Sequence, residues 1–228
     1  MSDKTKNCEH TASFREVEFY NCWRRMFQYI ITHIFYMIRF KLVYRLEVYG
    51  KENIPKDNKY IIAANHLSTL DPPLIASVMN RGVAYMAKKE LFENPFMRWW
   101  LNWLGAFAVD REKVGVSTIR TVKKIKDTNW VLGIFPQGTR QTDGAISQTT
   151  KGFASIAKTT KCSILPVGIT GTQEVKRIPF TGKIIVKIGK IIPYSDNVED
   201  MVSSWGKEIQ ELTGYKYIAE NNTELGNE

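Results

Sequence analysis

The chain is short of the residues that build metal sites and disulfide frameworks. Its 228 residues include three cysteines, Cys8, Cys22 and Cys162, scattered and odd in number, so a closed disulfide framework does not account for them. The three histidines, His10, His33 and His66, stand at no zinc or iron–sulfur spacing with those cysteines. Reduced thiols in a cytosolic setting are therefore expected. The first residues are polar and carry both charges, unlike a secretory leader. No apolar run approaches the roughly 20 residues that a spanning helix needs. Repeats, linkers and low-complexity tracts are missing too, and the length suits one domain with a substantial core. Acidic residues are also in deficit: 23 against 32 basic ones leave a formal charge of +9. That excess fits a partner with negative charge: nucleic acid, anionic lipid or a phosphorylated substrate. No nucleic-acid fold pattern accompanies it, so nucleic acid is not the expected partner.

What is present begins with a helical pattern from Phe14 to about Phe40. Glu18, Asn21, Arg25, Gln28, Thr32 and Arg39 form a polar stripe, opposed by Tyr20, Trp23, Phe27, Ile30, Ile34 and Ile38. Aromatics flanked by Arg24, Arg25, Arg39, Lys41 and Arg45 suit a helix lying in a membrane interface; docking on the protein's own core is the alternative. Beyond it, short apolar runs alternate with helical ones. Strands are expected at Leu42–Tyr49, Tyr60–Ala64, Val83–Ala87, Ala106–Val109, Trp130–Phe135, Ser163–Ile169 and Lys183–Ile188. Helices are expected at Asp71–Met79, from Asn94-Pro95 to Gly105, and at Val116–Asp127, Gly152–Thr160 and Val198–Leu212. The alternation predicts an α/β layered domain with a largely parallel central sheet flanked by helices. In such sheets sites gather at the carboxyl ends of strands.

The residues past three of those strand ends can do chemistry together. Asn65-His66-Leu67-Ser68-Thr69-Leu70-Asp71 follows the second strand. Imidazole has an ordinary pKa of about 6.5, which suits a general base near neutrality. An aspartate five residues on can take one ring N–H and leave the other nitrogen free to accept a proton from an alcohol. The alternative for Asp71 is an N-cap before Pro72-Pro73. Phe135-Pro136-Gln137-Gly138-Thr139-Arg140 supplies a tight turn and a guanidinium that suits phosphate, so Gln137, Gly138, Thr139 and Arg140 are candidate substrate contacts; an ordinary turn with a solvated arginine is the alternative. Arg111 closes Gly105–Arg111 as a second cation, unless Asp110 or Glu112 pairs with it. Lys88, Lys89 and Lys151 add positive charge to the same face or are solvated lysines. Leu165-Pro166-Val167 is expected to wall the site, and Phe92, Phe96, Trp99, Trp100 and Trp103 to pack as core, line an acyl groove or touch lipid.

Taken together, these four segments resemble the signature of the 1-acyl-sn-glycerol-3-phosphate acyltransferase family. Asn65-His66-(four residues)-Asp71 matches its NHxxxxD motif, Gly105–Arg111 is similar to its second motif, Phe135–Arg140 to its third and Leu165-Pro166-Val167 to its fourth, in family order over roughly residues 42–192. The resemblance implies an acyl-CoA or acyl-carrier-protein donor and lysophosphatidic acid as acceptor, with no further cofactor and no metal. It implies His66 as base, Asp71 as its partner, Arg111 and Arg140 as phosphate binders, and phosphatidic acid as product. It also implies an amino-terminal helical membrane motif, here residues 1–41, ahead of an acyltransferase domain at 42–215 and a tail at 216–228. Cationic surface facing anionic lipid then predicts peripheral or monotopic attachment at the cytoplasmic face of the cell membrane. One position departs from the pattern: the third motif usually reads Phe-Pro-Glu-Gly-Thr-Arg, and Gln137 stands in place of the glutamate. An amide keeps the size and an acceptor oxygen but loses the charge. An altered acceptor or slower turnover is the expected consequence.

Overall fold

The computed structural model describes residues 14–57, 59–109, 115–141, 144–147, 149–174, 180 and 182–218. Its strands are β1 (Glu47–Tyr49), β2 (Tyr60–Ala64), β3 (Gly82–Lys88), β4 (Phe107–Val109), β5 (Trp130–Ile134), β6 (Ala145–Ile146), β7 (Ser163–Thr170), β8 (Ile185–Ile188) and β9 (Lys216–Tyr217). The main sheet runs β1-β8-β7-β2-β5-β3-β4. Every neighbouring pair in it is parallel except β7 with β8. The expected α/β fold with a mostly parallel central sheet is therefore the observed one.

Both faces of the sheet are covered, and the pleat shows how. All five residues of β2 are buried. Ile61 and Ala63 join a core with Val122, Phe153, Ile156, Trp205 and Ile209, on helices α5 (Val116–Ile125), α6 (Gly152–Thr160) and α7 (Val198–Thr213). Tyr60, Ile62 and Ala64 point the other way, into a core with Phe40, Tyr44, Leu74, Ile75 and Val78. Successive strand side chains alternate between faces, so a strand inside a doubly covered sheet must be apolar throughout. That is why Tyr60-Ile61-Ile62-Ala63-Ala64 has no polar position. Trp205 adds a directional tie, its indole N–H donating to the Ala63 carbonyl at 2.9 Å.

The remaining helices are α1 (Cys22–Tyr29), α2 (Met37–Tyr44), α3 (Asp71–Val78) and α4 (Pro95–Trp103). Asn94 caps α4 by accepting from the amides of Phe96 and Met97, with Pro95 in the first turn. At its far end Gly105 has φ of +78°, and a Cβ there would lie 2.3 Å from the Trp130 ring. Only glycine meets both conditions.

Three expectations need correction. The stretch from Phe14 is not one helix: a 3-10 turn (Val17–Tyr20) precedes α1, and a π-helical segment (Ile30–Tyr36) separates α1 from α2. Asn21 restarts the chain by accepting from the Arg24 amide at 3.0 Å. The expected strand from Leu42 begins only at Glu47, because α2 continues to Tyr44, whose ring is buried with Phe40 against α3. Arg45, with φ of 47°, makes the break. The supposed tail at 216 starts with a strand, as Lys216–Tyr217 pairs with Ala145–Ile146 and Tyr217 packs edge-on against Trp205. A two-residue strand carries no alternation that a sequence pattern could reveal.

Burial in the amino-terminal segment does not divide along the two stripes. Gln28 and Thr32 of the polar stripe are buried while Glu18, Arg25 and Arg39 are exposed; Tyr20 of the apolar stripe is buried while Trp23, Ile30, Ile34 and Ile38 are exposed. Gln28 faces inward because the core offers it backbone partners. Its amide nitrogen donates to the carbonyls of Val83 and Leu104, both at 2.8 Å, and its oxygen accepts from the Val83 amide at 2.9 Å.

Candidate active site

The carboxyl ends of β2, β3, β4, β5 and β7 share one edge of the sheet, and His66 stands just past β2 there. Its ring stacks on Phe135, 4.2 Å between centroids, and its Nδ1 lies 2.8 Å from Asp71 Oδ2. Asp71 opens α3 and is fully buried. It is not the N-cap, a place taken by Leu70, and its carboxylate turns back over the preceding loop. Oδ2 accepts from the amides of Leu67 and Ser68, both at 2.7 Å, and Oδ1 accepts from the Thr172 hydroxyl at 2.7 Å. With donors gathered around it, the carboxylate takes the N–H of Nδ1, and Nε2 is left as the acceptor. The motif's five-residue spacing thus works through a short loop whose own amides fix the aspartate.

Neighbouring groups hold this loop in place. The Asn65 amide bridges to β7, donating to the Ile169 carbonyl at 2.8 Å and accepting from the Ile169 amide at 2.7 Å. It extends the β2–β7 ladder by one side chain, so His66 leaves the sheet at a defined angle. Tyr85 stacks on the other aromatic of the site, Phe135, and donates to the Pro72 carbonyl at 2.8 Å. Burial, with the nearby charge of Asp71 added, pushes its phenol well above the ordinary value and keeps it a neutral donor.

The turn after β5 is built from Phe135-Pro136-Gln137-Gly138, closed by the Gly138 amide on the Phe135 carbonyl at 3.0 Å. Gly138 has φ of +67° with open space where a Cβ would be, so conformation alone selects glycine there. Thr139 and Arg140 are exposed beyond it. Gln137 is not on the open surface. It is buried, its oxygen accepts from the His66 amide at 2.8 Å and its nitrogen donates to Gln141 at 2.6 Å. Lys88 ends β3 at this edge, 3.9 Å from Glu90. Lys151 precedes α6, but its ammonium pairs with Glu199 on α7 at 3.2 Å. Arg111 lies outside the described residues.

His66 borders a cleft of about 110 Å³. Met86, Val109, Ile134 and Phe135 come from the strand ends, and Gly152, Phe153 and Ile156 from α6. The wall expected from Leu165-Pro166-Val167 is not among the described lining residues. Leu165 and Val167 are buried inside the sheet, where β7 sits between β2 and β8. Of the expected aromatics, Phe92 is buried, Trp100 and Trp103 pack on Phe27, and Phe96 and Trp99 are exposed. Sequence reasoning missed Thr172 and Gln141 as partners of the site. Thr172 is 101 residues from Asp71, and no local pattern connects them.

A family model described as Acyltransferase matches residues 45–170, more than half of the chain and the stretch that holds His66, Asp71 and Gln137. The chain belongs to the acyltransferase family. It is 32% identical to the 1-acyl-sn-glycerol-3-phosphate acyltransferase of Bacillus subtilis over 176 residues, spanning 73% of this acyltransferase and 87% of that one. The enzyme of the same name from Streptococcus pneumoniae is 30% identical over 75% of this chain and 65% of its own length. The one from Saccharomyces cerevisiae is 28% identical, over 81% and 64% respectively. The crystal structure of the 1-acyl-sn-glycerophosphate (LPA) acyltransferase from Thermotoga maritima superposes with a TM-score of 0.61 at 26% identity, covering 93% of this chain and 84% of that one.

Proposed function

We propose that this acyltransferase moves an acyl group from acyl-CoA or acyl-carrier protein to the sn-2 hydroxyl of 1-acyl-sn-glycerol-3-phosphate, giving phosphatidic acid. The observation that carries the reading is the His66–Asp71 contact of 2.8 Å beside an apolar cleft at the carboxyl edge of the sheet. The names of the relatives agree with it.

In the reaction His66 Nε2 takes the hydroxyl proton as the oxygen attacks the thioester carbonyl. The tetrahedral intermediate collapses by breaking the carbon–sulfur bond, and the imidazolium returns its proton to the leaving thiolate. Asp71 keeps the ring in one tautomer and steadies the positive charge that forms on it. The acyl chain lies against Met86, Val109, Phe153 and Ile156, where apolar contact replaces water. Arg140, with Arg111 and Lys88, grips the acceptor phosphate and so sets the hydroxyl against His66. Gly138 and Thr139 shape the turn that brings Arg140 there. Gln137 acts from behind the base rather than on the substrate.

The enzyme works at a lipid surface. Among the described residues no helix is long and apolar enough to cross a membrane. The outer face of α1, the π-helical segment and α2 nevertheless presents Trp23 at 67%, Phe35 at 64% and Leu42 at 71% exposure, beside Ile30, Ile34 and Ile38. Phe27 packs against Trp100 and Trp103 of α4, so exposed Phe96 and Trp99 continue the same side. Such a face suits the headgroup boundary of an anionic membrane, where aromatic bodies sink and cations stay wet. Peripheral attachment on the cytoplasmic side follows from the positive charge.

The test is acyl transfer by the purified protein on mixed vesicles, with acyl-CoA and acyl-carrier-protein donors each offered to a panel of acceptors. Lysophosphatidate should exceed neutral lysophospholipids and lyso-ornithine lipid by at least about tenfold in kcat/KM, the yield of one well-placed charged contact, and should exceed glycerol-3-phosphate, which carries the same phosphate, by a similar factor through the apolar contact of its sn-1 chain. Equal rates across the panel, or faster transfer to another acceptor, would overturn the acceptor assignment.

A further inference from the structure

We infer that Gln141 is a positioning residue for the His66 base, and that Gln141 rather than the acceptor dictates an amide at position 137. The inference rests on the acyl-transfer reading above. Its origin is the polarity of one chain of hydrogen bonds that runs through the buried Gln137.

The orientation of the Gln141 amide is set by backbone. The Ser147 amide donates to Gln141 Oε1 at 3.0 Å, and the Ser147 carbonyl accepts from Nε2 at 2.9 Å. Turning the amide over would set N–H against N–H and oxygen against oxygen, so the oxygen must stay where it is. At the other end the His66 amide requires an oxygen from residue 137, and finds it at 2.8 Å. What remains is the middle contact, 2.6 Å from Gln137 nitrogen to Gln141 Oε1. One end of residue 137 must accept and the other must donate. Glutamine does both; a carboxylate would bring a bare oxygen against Gln141 Oε1. Residue 137 is buried, so neither oxygen could turn to water, and an unmatched pair there is costly.

Gln141 also reaches His66 directly, its main-chain N–H donating to the His66 carbonyl at 2.9 Å. The main chain of the base is therefore held on both sides: at its carbonyl by Gln141, and at its N–H by Gln141 acting through Gln137. A shift in this chain moves the imidazole relative to the Asp71 carboxylate. The departure from the family's glutamate is thus a matched pair of amides, with the charge absent because its neighbour offers an oxygen.

Four proteins test it: wild type, Gln137→Glu, Gln141→Ala and the double variant, assayed with lysophosphatidate and acyl-CoA. Gln137→Glu should lower kcat by about ten- to a hundredfold, the scale of losing a catalytic orientation, with KM for lysophosphatidate within about threefold. In the Gln141→Ala background, where the opposing oxygen is gone, the same substitution should cost less than about threefold. Unchanged or higher kcat in Gln137→Glu, an effect confined to KM, or an equal penalty in both backgrounds would overturn the inference. Urea midpoints of the same proteins provide a reading independent of turnover: Gln137→Glu should lower the midpoint more in wild type than beside Gln141→Ala. Equal drops would also overturn it. A wild-type protein inactive on lysophosphatidate would sink the acceptor assignment alone, leaving the pairing to be decided by those midpoints.

Discussion

The corner around His66 and the amino-terminal helical segment bury polar groups by the same rule and treat apolar ones in opposite ways. At the corner, Asp71 accepts from two amides, the imidazole and the Thr172 hydroxyl. In the amino-terminal segment, Gln28 matches both its nitrogen and its oxygen to the backbone of Val83 and Leu104. Each polar side chain is inside because the groups it meets would otherwise be unpaired. The apolar side chains differ. Around His66 they close a cleft; along residues 23–42 Phe40 turns inward, but Trp23, Ile30, Ile34, Phe35, Ile38 and Leu42 face outward. Amphipathic periodicity alone therefore says that two faces exist, without saying which one the protein keeps.

The strongest way to break this comparison is at the corner. His66→Ala should lower acyl transfer by about a thousandfold or more, as removal of a base that acts with its orienting carboxylate does, while vesicle binding and the unfolding midpoint stay close to wild type. Residual transfer above a few per cent would remove His66 from the chemistry.

Next comes the inward polar residue. Gln28→Leu leaves the Val83 and Leu104 groups unpaired in a buried place, and should destabilise the fold by about 2–4 kcal/mol. For a chain of this size that corresponds to a fall of roughly 5–12 °C in Tm. A neutral result by differential scanning calorimetry would mean that the inward amide is incidental.

The outward face is expected to show the reverse behaviour. Ile34→Ser with Phe35→Ser should weaken partition to anionic vesicles by about ten- to a hundredfold, from the apolar area lost to the lipid. Tm should change little, because both side chains are exposed. Unfolding with unchanged vesicle partition would reverse the assignment of faces.

The smallest expected effect sharpens the corner itself. Thr172→Val removes a single hydroxyl donor from Asp71 Oδ1, which leaves the two amides and the imidazole in place. A three- to tenfold fall in kcat is expected, about 1 kcal/mol, with KM for lysophosphatidate unaltered. Stopped-flow or steady-state kinetics that put the change into KM would place Thr172 on the substrate.

How far the sequence was readable follows from the range of each interaction. Five of the helices and most strands of the main sheet were legible to within a few residues, since Gly152–Thr160 and Tyr60–Ala64 are local patterns with clear ends. The π-helical segment at Ile30–Tyr36 and the helix running through Leu42–Tyr44 were not, because the packing of Phe40 and Tyr44 on α3 overrode local strand preference. His66 and Asp71 were legible as a pair because a loop of only four intervening residues brings them together. The cleft wall was not, since Met86, Val109 and Phe153 meet only through sheet order.

The sequence by itself determined the α/β class and the order of its strands along the chain. It also determined the histidine–aspartate spacing and an excess of positive charge. Those are matters of composition and of contacts between near neighbours. The tertiary structure decided which residues of the amino-terminal segment are buried, which side chains line the cleft, and why an amide stands at 137. Each of these depends on a donor and an acceptor, or two apolar surfaces, contributed by segments far apart in the chain. Their pairing has no energy until the sheet has assembled.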